Sequence, residues 1–419
     1  MPPRVAQPPV VRTPRAGRLE RWSSSCRRVL ITVALCATAL PLEARAQEAD
    51  STDLSVTYRD RRLEFETADG NYSMTLQWRF QFRASSPFDG PPRTSAGLGE
   101  PDQLTMLIRR ARMKVGGHAY RPWLEYYLEY NFPTSTLLDW RMTMGRPEAQ
   151  LRVGQWKVNY SRERVISSGR QQFVERSIVN RAFTLDRQIG VMGFGHLFEG
   201  SALDVRYYVG AFTGNGAGAP TNDDDQLLWL GRVEWQPLGT DPGMAGGDLE
   251  RRTEPALTIA FAGATNRSGH TRFSGSGGGQ LDGYEAGDPG RYRVEQAMIE
   301  TAFKYRGISW EHETHFKRID DREEDDLSDL NGTYVQAGFF PSEFLPSVPE
   351  QLEVAARWAG VSGGPTGSDP DRREVGGVVN WFFDGHANKL TFDVFRLTVD
   401  DDDGMSSRWR ARVQWDVSF

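Results

Sequence analysis

The last twelve residues, Arg408 to Phe419, alternate without interruption and stop on an aromatic ring. Successive side chains of an extended strand point to opposite faces. Trp409, Ala411, Val413, Trp415, Val417 and Phe419 therefore share one face, and Arg408, Arg410, Arg412, Gln414, Asp416 and Ser418 share the other. One face suits hydrocarbon and the other suits water. A half-buried strand of a soluble sheet also alternates, but two tryptophans and a phenylalanine set outward against three arginines match the closing strand of a transmembrane β-barrel.

The rest of the chain agrees with that reading. It has 419 residues and a mean hydropathy of -0.55, and after the first fifty residues no stretch reaches the run of about 20 apolar residues that a spanning helix needs. A bilayer crossing without such a helix requires strands that satisfy one another laterally in a closed ring. The amino terminus reads as a secretory signal over residues 1–46: Arg27 and Arg28 precede the apolar stretch Val29 to Leu42, and Ala44-Arg45-Ala46 offers a small-x-small cleavage site before Gln47. A short periplasmic segment, 47–72, and a barrel, 73–419, are expected to follow. Both cysteines, Cys26 and Cys36, fall in the leader, so the mature chain is expected to carry no disulfide, thiolate metal site or other cofactor.

Removing the leader's eight basic and two acidic residues leaves 42 basic against 54 acidic, a net of -12. That balance argues against a bulk nucleic-acid binder. The acid gathers in three runs, Asp223 to Asp225, Asp320 to Asp326 and Asp400 to Asp403, which read as solvated outer loops.

Alternation bounded by Gly, Pro, Asn and Asp predicts sixteen strands, beginning near Ser73, Thr105, Pro122, Thr136, Gln150, Arg187, Ala202, Gln226, Pro255, Arg293, Gly307, Gly332, Gln351, Arg373, Asn388 and Ser407. The expected fold is all-β, a 16-stranded antiparallel transmembrane barrel with an inward-folded third outer loop. Long and short connections mostly take turns, as they must when both termini lie on the periplasmic side. Two break the parity: Phe132 to Ser135 is short where a long loop is due, and Pro237 to Glu254 is long where a turn is due. The alternation sends Met74, Leu76, Trp78, Phe80, Leu138, Trp140 and Met142 to lipid, and Arg79, Arg110, Arg112, Lys114, Glu129, Asp139 and Arg141 to the lumen. Trp123, Tyr127, Trp229, Trp235, Trp358 and Trp381 suit interfacial girdles.

A sixteen-stranded barrel encloses a water-filled channel, so its chemistry lies in whatever narrows and charges that channel. The segment Tyr160 to Asp186 carries Arg162, Arg164, Arg170, Arg176 and Arg181 beside Val165, Ile166, Phe173, Val174, Ile178, Val179 and Phe183. A solvated loop has little use for those apolar residues. Packing against the inner wall would use them and set the arginines at the narrowest point, unless they serve only to pair Glu163, Glu175 and wall carboxylates.

Leu107-Ile108-Arg109-Arg110-Ala111-Arg112, Glu125-Tyr126-Tyr127-Leu128-Glu129-Tyr130, Arg152-Val153-Gly154-Gln155-Trp156-Lys157, Phe173-Val174-Glu175-Arg176-Ser177, Arg187-Gln188-Ile189-Gly190 and Tyr208-Val209-Gly210-Ala211-Phe212-Thr213-Gly214 follow in order. In these stretches the chain resembles the phosphate-selective porins of the O and P type. The resemblance implies an outer-membrane porin, usually a homotrimer, set among lipid and lipopolysaccharide and passing small phosphate-like anions. Its anion-binding residues would be Arg110, Arg112, Lys114, Arg152, Lys157, Arg164, Arg176 and Arg187, joined by the loop residues Arg162 and Arg170. The chain departs from the family in having Asn159-Tyr160-Ser161 at the loop's start and only five lysines.

Other signals carry less. His312 and His315 fall on opposite faces of a strand pattern rather than at zinc-ligand spacing. Gly275 to Gly279 precedes neither a Lys-Ser/Thr pair nor a helix, as a phosphate cradle requires, and Asp400 to Asp403 lacks the closing Glu of a calcium loop. A porin without phosphate specificity is the alternative channel. A barrel enzyme would need a catalytic cluster that six scattered histidines do not supply, and an adhesin would need longer, more aromatic outer loops.

Overall fold

The computed structural model describes residues 54–222, 224–273, 279–364 and 371–419. The signal-peptide expectation for 1–46 lies outside them, as does nearly all of the glycine-rich 275–279 stretch. A hairpin comes first, β1 (Leu54–Arg59) and β2 (Arg62–Thr67). The barrel begins with β3 (Ser73–Ser86), β4 (Thr105–Ala119), β5 (Arg121–Asn131), β6 (Thr136–Arg146), β7 (Ala149–Lys157), β8 (Arg187–Leu197), β9 (Asp204–Phe212) and β10 (Leu228–Gln236). It continues with β11 (Ala256–Ser268), β12 (Tyr292–Tyr305), β13 (Ile308–Asp321), β14 (Asp326–Phe339), β15 (Leu352–Gly363), β16 (Asp371–Asp384), β17 (Asn388–Asp401) and β18 (Gly404–Ser418). Each strand pairs antiparallel with the next. β18 then returns to β3 through Ala411↔Ser86 to Ser418↔Arg79, and the backbones of Trp78 and Phe419 exchange hydrogen bonds of 2.7 and 3.1 Å. The ring of sixteen strands is closed, as expected.

Burial in this ring is inverted relative to a soluble protein. In β18, Arg410, Arg412, Gln414 and Asp416 are buried while Trp409 is 60% exposed and Trp415 47%. The interior offers paired charges and the exterior offers hydrocarbon, which is the stable arrangement when the outer solvent is lipid. Val413 sits mid-strand on the outer face, opposite Phe392 on one side and Ala84 on the other. Val413→Arg is expected to cost about 2–4 kcal/mol, read as a lower urea midpoint for folding into lipid vesicles. A midpoint equal to the parent's would show that this position does not meet hydrocarbon.

Three expectations are corrected. Leu138 is buried rather than lipid-facing: a bulge opposite Glu129 and Tyr130 pairs Glu129 with Asp139 and Tyr130 with Leu137, so Leu137 takes the outer place. Tyr127 is no girdle residue; its hydroxyl donates to Glu129 Oε2 at 3.0 Å inside the barrel. Residues 319–331 are not a long loop, because β13 and β14 run on to a turn at 322–325 with Arg318 opposite Asp329 and Asp321 opposite Asp326. Acid stands on both faces of that extension, Asp321 buried and Asp329 outward, among Ile319, Leu327 and Leu330, which blurs the alternation a membrane imposes. The segment before Ser73, expected only as a short one, contains the β1–β2 hairpin, whose β2 adds to β3 through Leu63↔Leu76 to Glu66↔Ser73.

Both parity exceptions are real. Residues 132–135 close a tight hairpin, with Ser135 N donating to Phe132 O at 3.1 Å. Residues 237–255 form a long connection that lies by the β12–β13 turn, where Gly307 N donates to Asp248 Oδ2 at 2.8 Å.

Candidate functional site

Period-two geometry puts every second side chain of β3–β7 inside the ring, and register sets them in rows. Lys114 lies opposite Glu129, and Glu129 opposite Asp139; Arg152 lies opposite Thr143. These rows form one wall of a cavity of about 830 Å³. Val165, Ser167 and Arg170 of the segment between β7 and β8 form the facing wall, and the β1–β2 turn and the β16–β17 turn flank its end. Nine Lys and Arg residues line it against five Asp and Glu.

The cations differ in how far their charge is already spent. Arg112 donates to Glu129 at 2.6 Å, and Arg61 pairs with Asp384. Lys157 donates to the Arg164 carbonyl at 3.1 Å. Arg152 donates to the Thr143 hydroxyl at 3.1 Å and lies 4.5 Å above the Phe194 ring; Arg141 lies 4.7 Å above Tyr127. Among the described residues none of Lys114, Arg141, Arg152 and Arg170 has a carboxylate within 4.0 Å.

Of the ten residues expected at the site, Arg112, Lys114, Arg152, Lys157 and Arg170 line the cavity. The other five stand behind it. Arg110 donates to Gln81 at 3.0 Å and to Glu175 at 3.2 Å. Arg187 donates to Asp139 at 2.5 Å, and Arg164 pairs with Asp186 at 2.8 Å. Arg176 is buried and donates to the carbonyls of Glu163 and Ile166 at 2.9 and 2.8 Å, pinning its own segment. Arg162 is 1% exposed beside Glu311. The cavity also draws on Arg61, Arg62, Arg79 and Arg141. Alternation had already sent Arg79 and Arg141 inward; nothing in the local sequence marks Arg61 and Arg62, which sit at a hairpin tip.

The β7–β8 segment, with the helices α1 (Arg162–Val165) and α2 (Val179–Phe183), makes its contacts to interior-facing strand residues. The Ser161 hydroxyl caps α1 by accepting from Arg164 N and donates to Glu313 at 2.8 Å. Val174 N donates to Asp393 at 3.2 Å, Lys389 Nζ to the Gln171 carbonyl at 2.5 Å, and Lys317 Nζ to the Ala182 carbonyl at 2.9 Å. Glu175 is the hub. Burial alone would raise its carboxyl, but Arg110, Arg83, Arg109 and Arg176 outweigh that and hold it well below the ordinary carboxylate range. Phe183, Val179 and Tyr160 pack in the main apolar cluster with Tyr334, Met298 and Ile319. Charge satisfaction and apolar packing together fix this segment against β12–β18.

The architecture matches solved outer-membrane proteins. The channel DcaP of Acinetobacter baumannii shares 10% identity over 85% of this chain and 99% of its own, with a TM-score of 0.57. The anion-selective porin from Comamonas acidovorans shares 10% over 83% and 100%, at 0.56. OmpT of Vibrio cholerae lacking loop L8 shares 11% over 83% and 100%, also at 0.56. No curated protein matches the sequence. The profile of the phosphate-selective porin O and P family matches residues 96–345, a span that runs from the first long loop into the β14–β15 connection and includes the cavity-lining residues of β4–β7. Closed ring, inverted burial and family match agree: the chain belongs to the phosphate-selective porin O and P family and forms a channel in the outer membrane.

Proposed function

We propose that this porin passes small anions of the phosphate type by passive diffusion, and that residues 158–186 act as the inward-folded third loop that sets its narrowest passage. The surplus of unpaired cations on the cavity wall carries this reading. Guanidinium forks offer two parallel donors to phosphate oxygens, while Lys114 offers a compact charge. A row of moderate sites lets an ion enter and leave, which one tight site would prevent. No bond is made or broken. Residues 1–46 serve as the export signal, 47–72 lie on the periplasmic side, and the barrel works as a homotrimer among lipid and lipopolysaccharide; the likeness to the anion-selective porin from Comamonas acidovorans supports the anion reading.

Planar-bilayer recording of the refolded mature protein under a KCl gradient tests the reading. The current is expected to reverse toward the chloride potential, and low-millimolar phosphate is expected to reduce chloride current. Anion-directed reversal without phosphate block would leave an anion porin without phosphate specificity. A cation-directed reversal would reject the arginine-lined passage.

A further inference from the structure

The interior faces of β12, β13 and β15 carry four carboxylates, Glu300, Glu311, Glu313 and Glu353, each no more than 3% exposed. None of them lines the cavity. Two segments cover them from different directions. From the β7–β8 segment, Arg162 N donates to Glu300 at 3.2 Å, Glu163 N to Glu313 at 2.8 Å and the Gln172 amide to Glu353 at 2.7 Å.

The second cover is the β10–β11 connection, 237–255. Its Gly243 carbonyl accepts from the Arg162 guanidinium, whose Nε stands 3.7 Å from Glu311. Its Ala245 carbonyl accepts from Lys304 Nζ at 2.6 Å, and Gly246 N donates to the Arg170 carbonyl at 2.7 Å. Gly247, at a φ of +70°, runs so close to Glu353 that any side chain there would strike the carboxylate. Glycine is required at Gly246 and Gly247, because there the backbone itself is the contact surface. Arg206 anchors one end on Asp241 at 2.7 Å, and Arg252 N and Gly307 N anchor the other on Asp248.

A carboxylate facing the water of a channel attracts cations and cancels neighbouring arginines within a Debye length of about 8 Å. One that is covered and satisfied by donors exerts far less of that field on the ion path. We infer that the periplasmic connection 237–255 is a selectivity element: it covers Glu311 and Glu353 on the acidic side of the lumen, so that mobile ions meet a cavity in which nine Lys and Arg outnumber five Asp and Glu, Glu250 of the connection among them. This rests on the anion-channel reading above and names the part of the chain that makes it possible.

The test compares, in planar bilayers under a KCl gradient, the parent, a deletion of residues 242–247, Gly246→Leu, and the deletion combined with Glu311→Gln and Glu353→Gln. Gly246→Leu removes no chain, yet its Cβ would stand 2.6 Å from Gln172 N, so the two segments must part. Heat-modifiable gel migration selects folded barrels. Deletion and Gly246→Leu are expected to raise conductance, on the order of twofold for a widened passage, and to move reversal toward the cation potential. The two glutamines are expected to restore anion-directed reversal while conductance stays high. Folded variants with the parent's conductance and reversal would overturn the inference, and so would higher conductance with unchanged reversal. A parent that is itself cation-selective would instead overturn the anion-channel reading.

Discussion

Lys114→Glu, Arg152→Glu and Arg170→Glu in one chain are expected to reverse the sign of the channel's selectivity. These three side chains line the cavity without a carboxylate partner, so changing them breaks no ion pair. Three of nine lining cations become carboxylates, leaving six against eight. Even at the dielectric of water a unit charge about 4 Å away is worth about 1 kcal/mol, so each reversal shifts a passing ion by about 2 kcal/mol. Reversal potential in a KCl gradient reads the effect directly. Arg164→Gln serves as the contrast, because that guanidinium is committed to Asp186. If Arg164→Gln moved the reversal potential as far as the triple change, the cavity would not be the ion path.

Glu175→Gln is expected to destabilise the folded barrel by about 3–5 kcal/mol, the usual cost of stranding buried charge. Four guanidiniums converge on this carboxylate: Arg83 at 3.0 Å, Arg110 at 3.2 Å, Arg109 at 3.4 Å and Arg176 at 3.7 Å. Arg83 and Arg110 are buried. The amide keeps the shape and removes the charge, so like charges face one another with only the Asp89 carboxylate, 3.1 Å from Arg83, still paired to them. A fall in the temperature at which the compact gel band is lost would report it. The further variant Glu175→Gln with Arg110→Gln is expected to recover part of the loss, since it removes one stranded cation. No recovery would mean that the hub acts through hydrogen-bond geometry rather than charge.

The barrel was legible in the sequence because a bilayer enforces alternation more strictly than water does. Strand starts at Ser73, Thr105, Thr136, Arg187 and Asn388 coincide with those observed, and the arginines of β18 lie inside as the pattern required. Legibility fails wherever the membrane stops acting. The tips of β13 and β14 carry acid on both faces and read as loop. Both faces of β1 are exposed, so its alternation of Leu54, Val56 and Tyr58 marked no core. A bulge at Leu138 shifts facing by one residue, a change that composition does not announce. In the site, alternation found which arginines point inward but not which are already spent: Arg187 on Asp139 and Arg176 on backbone carbonyls differ from Lys114 only through contacts distant in sequence. The length of residues 237–255 was visible, and its destination was not.

The seam between β3 and β18 joins Arg79 to Ser418. Until β18 has been made, β3 lacks a partner along Arg79 to Ser86 on the side that β2 covers only at Ser73 to Leu76, and any inserted sheet would present two rows of bare amides and carbonyls to hydrocarbon. Synthesis of β18 is thus a thermodynamic precondition for residence in the bilayer. A product cut short by even one strand carries its own rejection, written in unpaired backbone rather than in any recognition tag.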